Sequence, residues 1–197
     1  MGNQATALRP EALTDLEDST SLSAEEIRRF YKEFMKDCPS GRMTMSLDDF
    51  QKVYARIFPE GDAKKFASHV FKHLDGDASG RIDFREFIQA ISVQMKGSTE
   101  QKLQWVFDLY DLDGTGFIEK NELLEMVNSQ YRLKGSTISP DENMTPDQIV
   151  DYILEKADDN KDEKLSRDEF TKGAMQSRTI QRLLSGTLEA TRSPFKS

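Results

Sequence analysis

One twelve-residue pattern occurs three times in the chain and constrains its fold more than any other feature. The copies read DGDASGRIDFRE at 75–86, DLDGTGFIEKNE at 111–122 and DDNKDEKLSRDE at 158–169. Each copy has an acidic residue at positions 1 and 12, an oxygen-bearing side chain at positions 3, 5 and 9, and an aliphatic residue at position 8. Self-similarity of this kind is typical of a fold built from copies of one supersecondary unit.

The regular spacing of oxygen-bearing side chains predicts a calcium-binding loop in each copy. Calcium takes about six to eight oxygen ligands, and the loop of an EF-hand supplies them from alternate positions, with a sharp turn at position 6 and a bidentate glutamate at position 12. We call the three copies loops 2, 3 and 4, because an altered copy precedes them. The template assigns to loop 2 the ligands Asp75, Asp77, Ser79, the Arg81 carbonyl, Asp83 and Glu86. It assigns to loop 3 Asp111, Asp113, Thr115, the Phe117 carbonyl, Glu119 and Glu122, and to loop 4 Asp158, Asn160, Asp162, the Lys164 carbonyl, Ser166 and Glu169.

Loop 4 departs from the template at its turn. Position 6 holds Gly80 in loop 2 and Gly116 in loop 3, but Glu163 in loop 4. Glycine takes the left-handed backbone of this turn without strain, whereas another residue loses about 1–2 kcal/mol, or roughly tenfold in affinity. Loop 4 also offers three charged ligands where loops 2 and 3 each offer four. We therefore expect loop 4 to bind calcium more weakly than the other two.

We interpret the segment KDCPSGRMTMSLDDF, which ends at Phe50, as a fourth copy of the loop that has lost its ability to bind calcium. Cys38 is a poor ligand for a hard cation, and Pro39 removes a backbone donor. If Gly41 is the residue at position 6, the template expects an apolar residue seven positions after it. In this segment the apolar residue, Phe50, lies nine positions after Gly41. The segment would then carry two extra residues, and Asp49 could not reach the ion. We expect this loop 1 to bind no calcium and to keep only the scaffold of the unit.

Apolar residues at helical spacing flank the loops and predict a helix before and after each one. Around loop 2, for example, Phe66, Val70 and Leu74 precede the loop, and Phe87 and Ile91 follow it. We therefore predict an all-α fold of four EF-hand helix–loop–helix units in two paired lobes, with short antiparallel strand pairing between loops. The predicted division is an N-terminal arm at 1–22, an N-terminal lobe at 23–97, a C-terminal lobe at 98–178, and a C-terminal helix and tail at 179–197.

The composition favours a soluble, cytoplasmic protein. The 197 residues carry 27 basic and 35 acidic side chains, and the net charge of -8 disfavours nucleic-acid binding and suits divalent cations. Cys38 is the one cysteine, which is typical of a reducing compartment. The sequence contains neither an apolar run of about 18–20 residues, which a membrane-spanning helix needs, nor a secretory signal.

The sequence does not predict an enzyme. His69 and His73 are four residues apart on a predicted helix, but the stretch HVFKH lacks the glutamate base of a metalloprotease. These are the only two histidines, and no nucleophile has an evident base. We expect both histidines to be surface or structural residues.

Both ends of the chain carry a further signal. The first residues, MGNQAT, fit the pattern for N-myristoylation of Gly2, which would make the N-terminal segment an acylated arm. A single myristoyl chain gives marginal, reversible membrane binding, with an association constant of about 10⁴ M⁻¹. The stretch IQRLLSGTL predicts either a core helix or a helix that lies in a target groove. Its apolar residues are Ile180, Leu183, Leu184 and Leu188.

The whole chain resembles the neuronal calcium sensor family, most closely its recoverin and visinin branch. The stretches that carry the resemblance are MGN at the start, ALRPEAL at 7–13, FYKEFMKDCPSGRMT at 30–44, FQKVYARIFPEGD at 50–62, HVFKHLD at 69–75, QKLQWVFDLYDLDGTG at 101–116 and PDENMTP at 140–146. The resemblance implies an N-myristoylated calcium sensor with a calcium–myristoyl switch and reversible membrane association. We expect Ca²⁺ as the bound ion, with Mg²⁺ as a competitor in the apo state.

The same resemblance implies an N-terminal groove that captures an amphipathic helix of a target protein. The matching groove residues are Phe30, Tyr31, Phe34, Phe50, Val53, Tyr54, Phe58, Phe87 and Ile91. Targets in the branch are receptor kinases of phototransduction, and close relatives regulate guanylate cyclases, potassium channels and lipid kinases. The alternative function is a cytosolic calcium buffer without a dedicated target. We expect a monomer or a weak dimer.

Overall fold

The computed structural model describes residues 8–39, 42–134 and 144–192. Within these ranges the chain forms ten helices and four short strands. The helices are α1 (Pro10–Ser19), α2 (Ala24–Asp37), α3 (Leu47–Ile57), α4 (Lys64–Leu74), α5 (Phe84–Lys96), α6 (Thr99–Tyr110), α7 (Lys120–Lys134), α8 (Pro146–Ala157), α9 (Arg167–Gln176) and α10 (Arg178–Arg192). The strands are β1 (Thr44–Ser46), β2 (Arg81–Asp83), β3 (Phe117–Glu119) and β4 (Lys164–Ser166). The predicted all-α fold is confirmed.

The loops pair two by two through these antiparallel strands. β1 pairs with β2, with Met45 opposite Ile82, and β3 pairs with β4, with Ile118 opposite Leu165. All four apolar side chains are fully buried. Their burial specifies the register, because a slip of one residue would turn them towards solvent. Loops 1 and 2 therefore belong to one lobe and loops 3 and 4 to the other, as predicted.

The two lobes contact each other through α4 of the N-terminal lobe and α6 and α7 of the C-terminal lobe. Lys72 Nζ donates to the Leu112 carbonyl at 2.6 Å. Lys65 Nζ lies 2.6 Å from Glu125 Oε1. The helix that leads into loop 2 is thus tied directly to the backbone of loop 3.

The C-terminal segment forms a core helix. α10 packs against α6 and α9 of the C-terminal lobe and also contacts α5. Ile180 and Leu184 are buried, and Leu188 is partly buried against the same core. The side chain of Leu183 lies outside the described part of the structure. Of the two placements that the sequence left open, the structure shows the core helix rather than a helix in the target groove.

The predicted N-terminal arm contains α1, which packs against α2 through the buried side chains of Leu13 and Leu16. Gly2 lies outside the described residues. In the part of the chain that the structure describes, no helix combines the length and the apolar character needed to cross a membrane. The boundaries of the arm, the lobes and the tail stay predictions.

Candidate calcium-binding loops

The predicted ligands of loop 2 converge on one point. Carboxylate oxygens of Asp75, Asp77 and Glu86 lie within 4.8 Å of one another. Ser79 Oγ lies within hydrogen-bond distance of two acceptors, Asp75 Oδ1 at 3.2 Å and the Arg81 carbonyl at 2.9 Å. Hydrogen bonding by Ser79 also holds the pKa of Asp77 below its ordinary value, which favours the charged ligand. Five of the six predicted ligand groups therefore face a common centre.

Glu86 connects this centre to the following helix. Its Oε1 accepts from the backbone N–H of Gly76 at 3.0 Å, and its Oε2 accepts from that of Asp83 at 3.0 Å. The sixth predicted ligand, Asp83, caps α5, because its Oδ1 accepts from the Glu86 N–H at 2.9 Å. Position 9 of an EF-hand often binds calcium through a water molecule, which is compatible with this second role of Asp83.

Loop 3 repeats the arrangement of loop 2. Carboxylate oxygens of Asp111, Asp113 and Glu122 lie within 4.8 Å of one another. Thr115 Oγ1 donates to the Phe117 carbonyl at 3.4 Å, and the Thr115 N–H donates to Asp111 Oδ1 at 2.9 Å. The same oxygen types that surround the centre of loop 2 thus surround that of loop 3.

Glu122 is the most enclosed of the predicted ligand side chains, with only 7% of its surface exposed. Its Oε1 accepts from the Leu112 N–H and its Oε2 from the Glu119 N–H, both at 2.8 Å. A buried carboxylate is stable only when charge and hydrogen bonds compensate for lost hydration. The cationic side chain of Lys164 pairs with Glu119 rather than with Glu122, since its Nζ lies 2.6 Å from Glu119 Oε1. The Glu122 site therefore favours a cation.

Loop 4 lacks the tight group of carboxylates. Among the described residues, three carboxylates within 4.8 Å of one another occur in loops 2 and 3 but not in loop 4. Position 3 holds Asn160, whose Nδ2 donates to Asp162 Oδ2 at 3.1 Å. Asp158 Oδ2 accepts from the Glu163 N–H at 3.0 Å, as position 1 does from position 6 in the other loops. Asn160 therefore puts a neutral amide where the other loops have a carboxylate. Its amide nitrogen also hydrogen-bonds to one oxygen of Asp162, another predicted ligand.

Position 12 of loop 4 is engaged at the start of α9. Glu169 Oε2 accepts from Ser166 Oγ at 2.6 Å and from the Ser166 N–H at 3.0 Å. The first of these hydrogen bonds is the main reason that the pKa of Glu169 lies below its ordinary value. Lys164, whose carbonyl is a predicted ligand, directs its side chain to Glu119 of loop 3. Loops 3 and 4 are therefore linked by charge as well as by their strand pair.

All three loops have the left-handed backbone that was predicted at position 6, and they share a second such position that was not. Position 6 has φ of 76° at Gly80, 84° at Gly116 and 62° at Glu163. Position 4 has φ of 54° at Ala78, 73° at Gly114 and 60° at Lys161. The only sequence signal for position 4 is Gly114. Loop 3 therefore carries no left-handed residue with a side chain, loop 2 carries one and loop 4 carries two.

Replacing Glu163 with glycine is expected to raise the calcium affinity of loop 4. A residue with a side chain carries about 1–2 kcal/mol of strain in the left-handed backbone, and glycine does not. Removing this strain corresponds to a gain in calcium affinity of about 5- to 30-fold. Calorimetric titration of the full chain with calcium measures the change. The matched control is Glu163→Gln, which removes the same charge but keeps the side chain at φ 62°. An equal gain in both variants would assign the effect to charge and contradict the strain argument.

Loop 1 has the same length as the other loops, so the predicted insertion of two residues is wrong. α2 ends at its C-cap Cys38 as α4 ends at Asp75, which places Cys38 at position 1. The pairing of Met45 with Ile82 places Met45 at position 8. Asp49 then falls at position 12. The prediction failed because it took Gly41, which lies outside the described residues, as the turn glycine of position 6.

This corrected assignment of residues to loop positions changes the reason why loop 1 should not bind calcium. Position 6 is Met43, which lacks the left-handed φ of the other loops. Asp49 does reach its usual place: its Oδ2 accepts from Ser46 Oγ at 2.6 Å, and this hydrogen bond lowers the pKa of Asp49. Loop 1 lacks a carboxylate at positions 1 and 3, where the sequence has Cys38 and Ser40, and an oxygen-bearing side chain at position 5, where it has Arg42. Its failure to bind calcium stays a prediction.

The residues assigned to the target groove form the interior of the N-terminal lobe. Rings of α2 and α5 meet there, with Phe34 5.0 Å from Phe87 between centroids. An exposed groove is therefore not seen in this conformation, because α2, α3 and α5 close over their own apolar faces. Its opening stays a prediction. The buried members are Phe30, Tyr31, Phe34, Phe50, Val53, Tyr54, Phe87 and Ile91, and Phe58 is partly buried.

The two histidines lie where the lobes meet. His69 Nε2 is 3.3 Å from Glu125 Oε1 on α7. The His73 ring packs edge-on against Trp105 of α6, with centroids 4.8 Å apart, and burial lowers the pKa of His73. These contacts match the structural role that the sequence predicted for both residues.

Comparison with known proteins agrees with this geometry. Two family models, each described as an EF-hand domain pair, match residues 41–94 and 100–175. Human recoverin is 39% identical over 188 residues, which cover 93% of this chain and 93% of recoverin. Neuronal calcium sensor 1 of Lymnaea stagnalis is 42% identical over 181 residues, covering 91% of this chain and 94% of the relative. S-modulin of Aquarana catesbeiana is 35% identical over 188 residues, covering 93% and 92%.

Paired EF-hands, carboxylates grouped around loops 2 and 3, and similarity along nearly the whole chain lead to one conclusion. The protein binds calcium through its EF-hands and belongs to the neuronal calcium sensor family, together with recoverin and neuronal calcium sensor 1.

Proposed function

We propose that the protein is a calcium-dependent regulator of a membrane-associated target protein. The observation that carries the proposal is the position of Glu86. It is a predicted ligand of loop 2 and also lies in the first turn of α5, the helix that holds Phe87 and Ile91. A movement of this carboxylate towards an ion would move α5, and with it part of the apolar interior of the lobe. Calcium sensors of the EF-hand type open in this general way.

The exposed face would bind an amphipathic helix of the target. The groove residues supply a continuous apolar surface on α2, α3 and α5, which is what the apolar stripe of such a helix requires. By resemblance to recoverin and to neuronal calcium sensor 1, we propose a receptor kinase, a guanylate cyclase or a channel as the class of target. The protein would act as a regulator and not as an enzyme, would not bind nucleic acid, and would be a monomer or a weak dimer.

We further propose that Gly2 is N-myristoylated and that calcium controls exposure of the acyl chain. One such chain gives marginal membrane affinity, so the protein would be cytoplasmic and associate with membranes reversibly. Gly2→Ala should abolish calcium-dependent sedimentation with membranes when the protein is produced in acylating cells. Asn3→Ala, which keeps the acceptor glycine, is the control. Retention of the response by Gly2→Ala would remove the myristoyl switch from the proposal.

A cytosolic calcium buffer without a dedicated target is the alternative. A buffer would bind calcium without exposing apolar surface, and Mg²⁺ would compete for its sites in the apo state. Retention on a hydrophobic resin distinguishes the two functions. We expect strong retention in Ca²⁺ and weak retention in Mg²⁺ or in chelator. Equal retention in all three conditions would favour the buffer.

A further inference from the structure

Three buried side-chain polar atoms of the described residues have no hydrogen-bond partner, and all of them belong to the N-terminal lobe. They are the hydroxyl oxygen of Tyr31 and both amide atoms of Gln94. Each of the two residues is only 4% exposed. A buried polar group without a partner shifts a folding equilibrium unfavourably by roughly 5- to 150-fold. Apolar residues of similar size would stabilise the closed lobe better, so the closed lobe does not explain either residue.

Gln94 lies on the face of α5 that belongs to the proposed groove. Phe87, Ile91 and Gln94 are spaced i, i+4 and i+7 and therefore share one side of the helix. Tyr31 is itself a groove residue, on α2, and α2 packs against α5. The unpaired atoms thus lie on the surface that the proposed function assigns to a partner helix.

The C-terminal lobe has a glutamine at the equivalent position, and there it is paired. Gln94 follows Glu86, position 12 of loop 2, by eight residues, and Gln130 follows Glu122, position 12 of loop 3, by eight. Gln130 is also 4% exposed. Its Nε2 donates to Tyr110 Oη at 2.6 Å and to Thr187 Oγ1. The buried amide nitrogen of this lobe is therefore satisfied.

The partner of Gln130 comes from a helix docked on its lobe. Thr187 lies on α10, which packs against α6 and α9. It is fully buried, and with Ile180 and Leu184 it forms one face of α10 at i, i+4 and i+7. In the C-terminal lobe, a hydroxyl on the apolar face of the docked helix α10 thus meets a glutamine of α7, the helix that follows loop 3. Neither α1 nor α10 provides such a partner to Gln94.

We infer that the N-terminal lobe selects a partner helix that presents a serine or threonine hydroxyl from its apolar face to Gln94. The inference rests on the proposed function, because the lobe must first open to admit a helix. A hydroxyl can both donate to the amide oxygen and accept from the amide nitrogen, so it matches both unpaired atoms of Gln94. A charged side chain would bring an uncompensated charge into the same buried site.

A displayed library of helical peptides tests the inference. The library varies the apolar-face positions of an amphipathic helix between apolar residues and Ser or Thr. It is selected in Ca²⁺ against the wild-type full chain, Gln94→Met, Gln94→Leu and Gln89→Met. Gln89 is an exposed glutamine of the same helix and serves as the matched control. Two replacements of Gln94 are used so that a folding defect in one does not decide the result.

We expect wild type and Gln89→Met to enrich a hydroxyl at one apolar-face position, and both Gln94 variants to enrich an apolar residue there. Changing that Thr to Val in a recovered peptide should weaken its binding to wild type by roughly 5- to 150-fold and to Gln94→Met by less than about twofold. Wholly apolar faces selected by wild type, or the same hydroxyl preference in the Gln94 variants, would overturn the inference and leave the proposed function intact. Recovery of no helix in Ca²⁺ by any form would overturn both.

Discussion

Glu122→Gln is expected to remove one bound calcium ion from the protein, and Glu86→Gln a different one. Each substitution keeps the size of the side chain but removes the charge and one of the two oxygens that position 12 offers to the ion. Glu122 is nearly enclosed, so the lost charge cannot be replaced by solvent. We expect an affinity loss on the order of 100-fold or more in the altered loop. Calorimetric titration of the full chain gives both stoichiometry and affinity.

A matched control and a double variant sharpen this experiment. Glu100→Gln changes an exposed glutamate in the first turn of α6 and should leave stoichiometry unchanged. The combination of Glu86→Gln with Glu122→Gln should leave loop 4 as the site that responds to calcium. Unchanged stoichiometry and affinity in either single variant would contradict the assignment of that glutamate as a ligand.

Gly61→Ala is expected to separate the two lobes. Gly61 lies in the connection between α3 and α4, and a Cβ atom there would come within 2.1 Å of the Leu133 carbonyl oxygen and 2.5 Å of that of Arg132. Both atoms are backbone at the end of α7, so no side chain can move aside. The neighbouring Asp62 N–H donates to the Arg132 carbonyl at 2.9 Å and thereby caps α7 from the other lobe. Overpacking by one methyl group typically costs about 1–3 kcal/mol, and loss of the cap adds to it.

Trp105, the single tryptophan, reports this separation directly. It is buried against His73 across the contact between the lobes, so undocking should expose it and shift its emission to longer wavelength. The measurement is made without calcium, because the control Gly76→Ala lies in loop 2. A Cβ atom at Gly76 would meet nothing within 4 Å, and this variant should keep the wild-type spectrum. A wild-type spectrum and wild-type thermal stability in Gly61→Ala would show that the contact at Gly61 does not hold the lobes together.

Local pattern was sufficient to predict the calcium loops. The features that predict such a loop all lie within about twelve residues, and they can be recognised without the rest of the fold. They are oxygen ligands at alternate positions, a glycine at position 6 and an aliphatic residue at position 8. The left-handed backbone of Glu163 was predictable for the same reason. The left-handed residues at position 4 were missed, because Ala78 and Lys161 carry no such preference and only Gly114 indicates it.

The frame of loop 1 shows where local pattern misleads. Gly41 was interpreted as the turn glycine, although the positions of loop 1 are fixed by the end of α2 at Cys38 and by the long-range pairing of Met45 with Ile82. A strand partner 37 residues away, at Ile82, cannot be seen in a fifteen-residue window. That loop 1 does not bind calcium stays a prediction, now for a different reason, the absence of carboxylates at positions 1 and 3.

The sequence by itself determined the fold class, the pairing of four hands and the chemistry of loops 2 and 3, because these follow from short-range periodicity and ligand spacing. Only the tertiary structure decided the frame of loop 1, the position of α10 as a core helix, and the closure of the lobe over the groove residues. It also decided that Gln130 meets Thr187, while Gln94 meets no partner among the described residues. Two glutamines at equivalent positions are alike in sequence, and their difference arises from which helix packs over them.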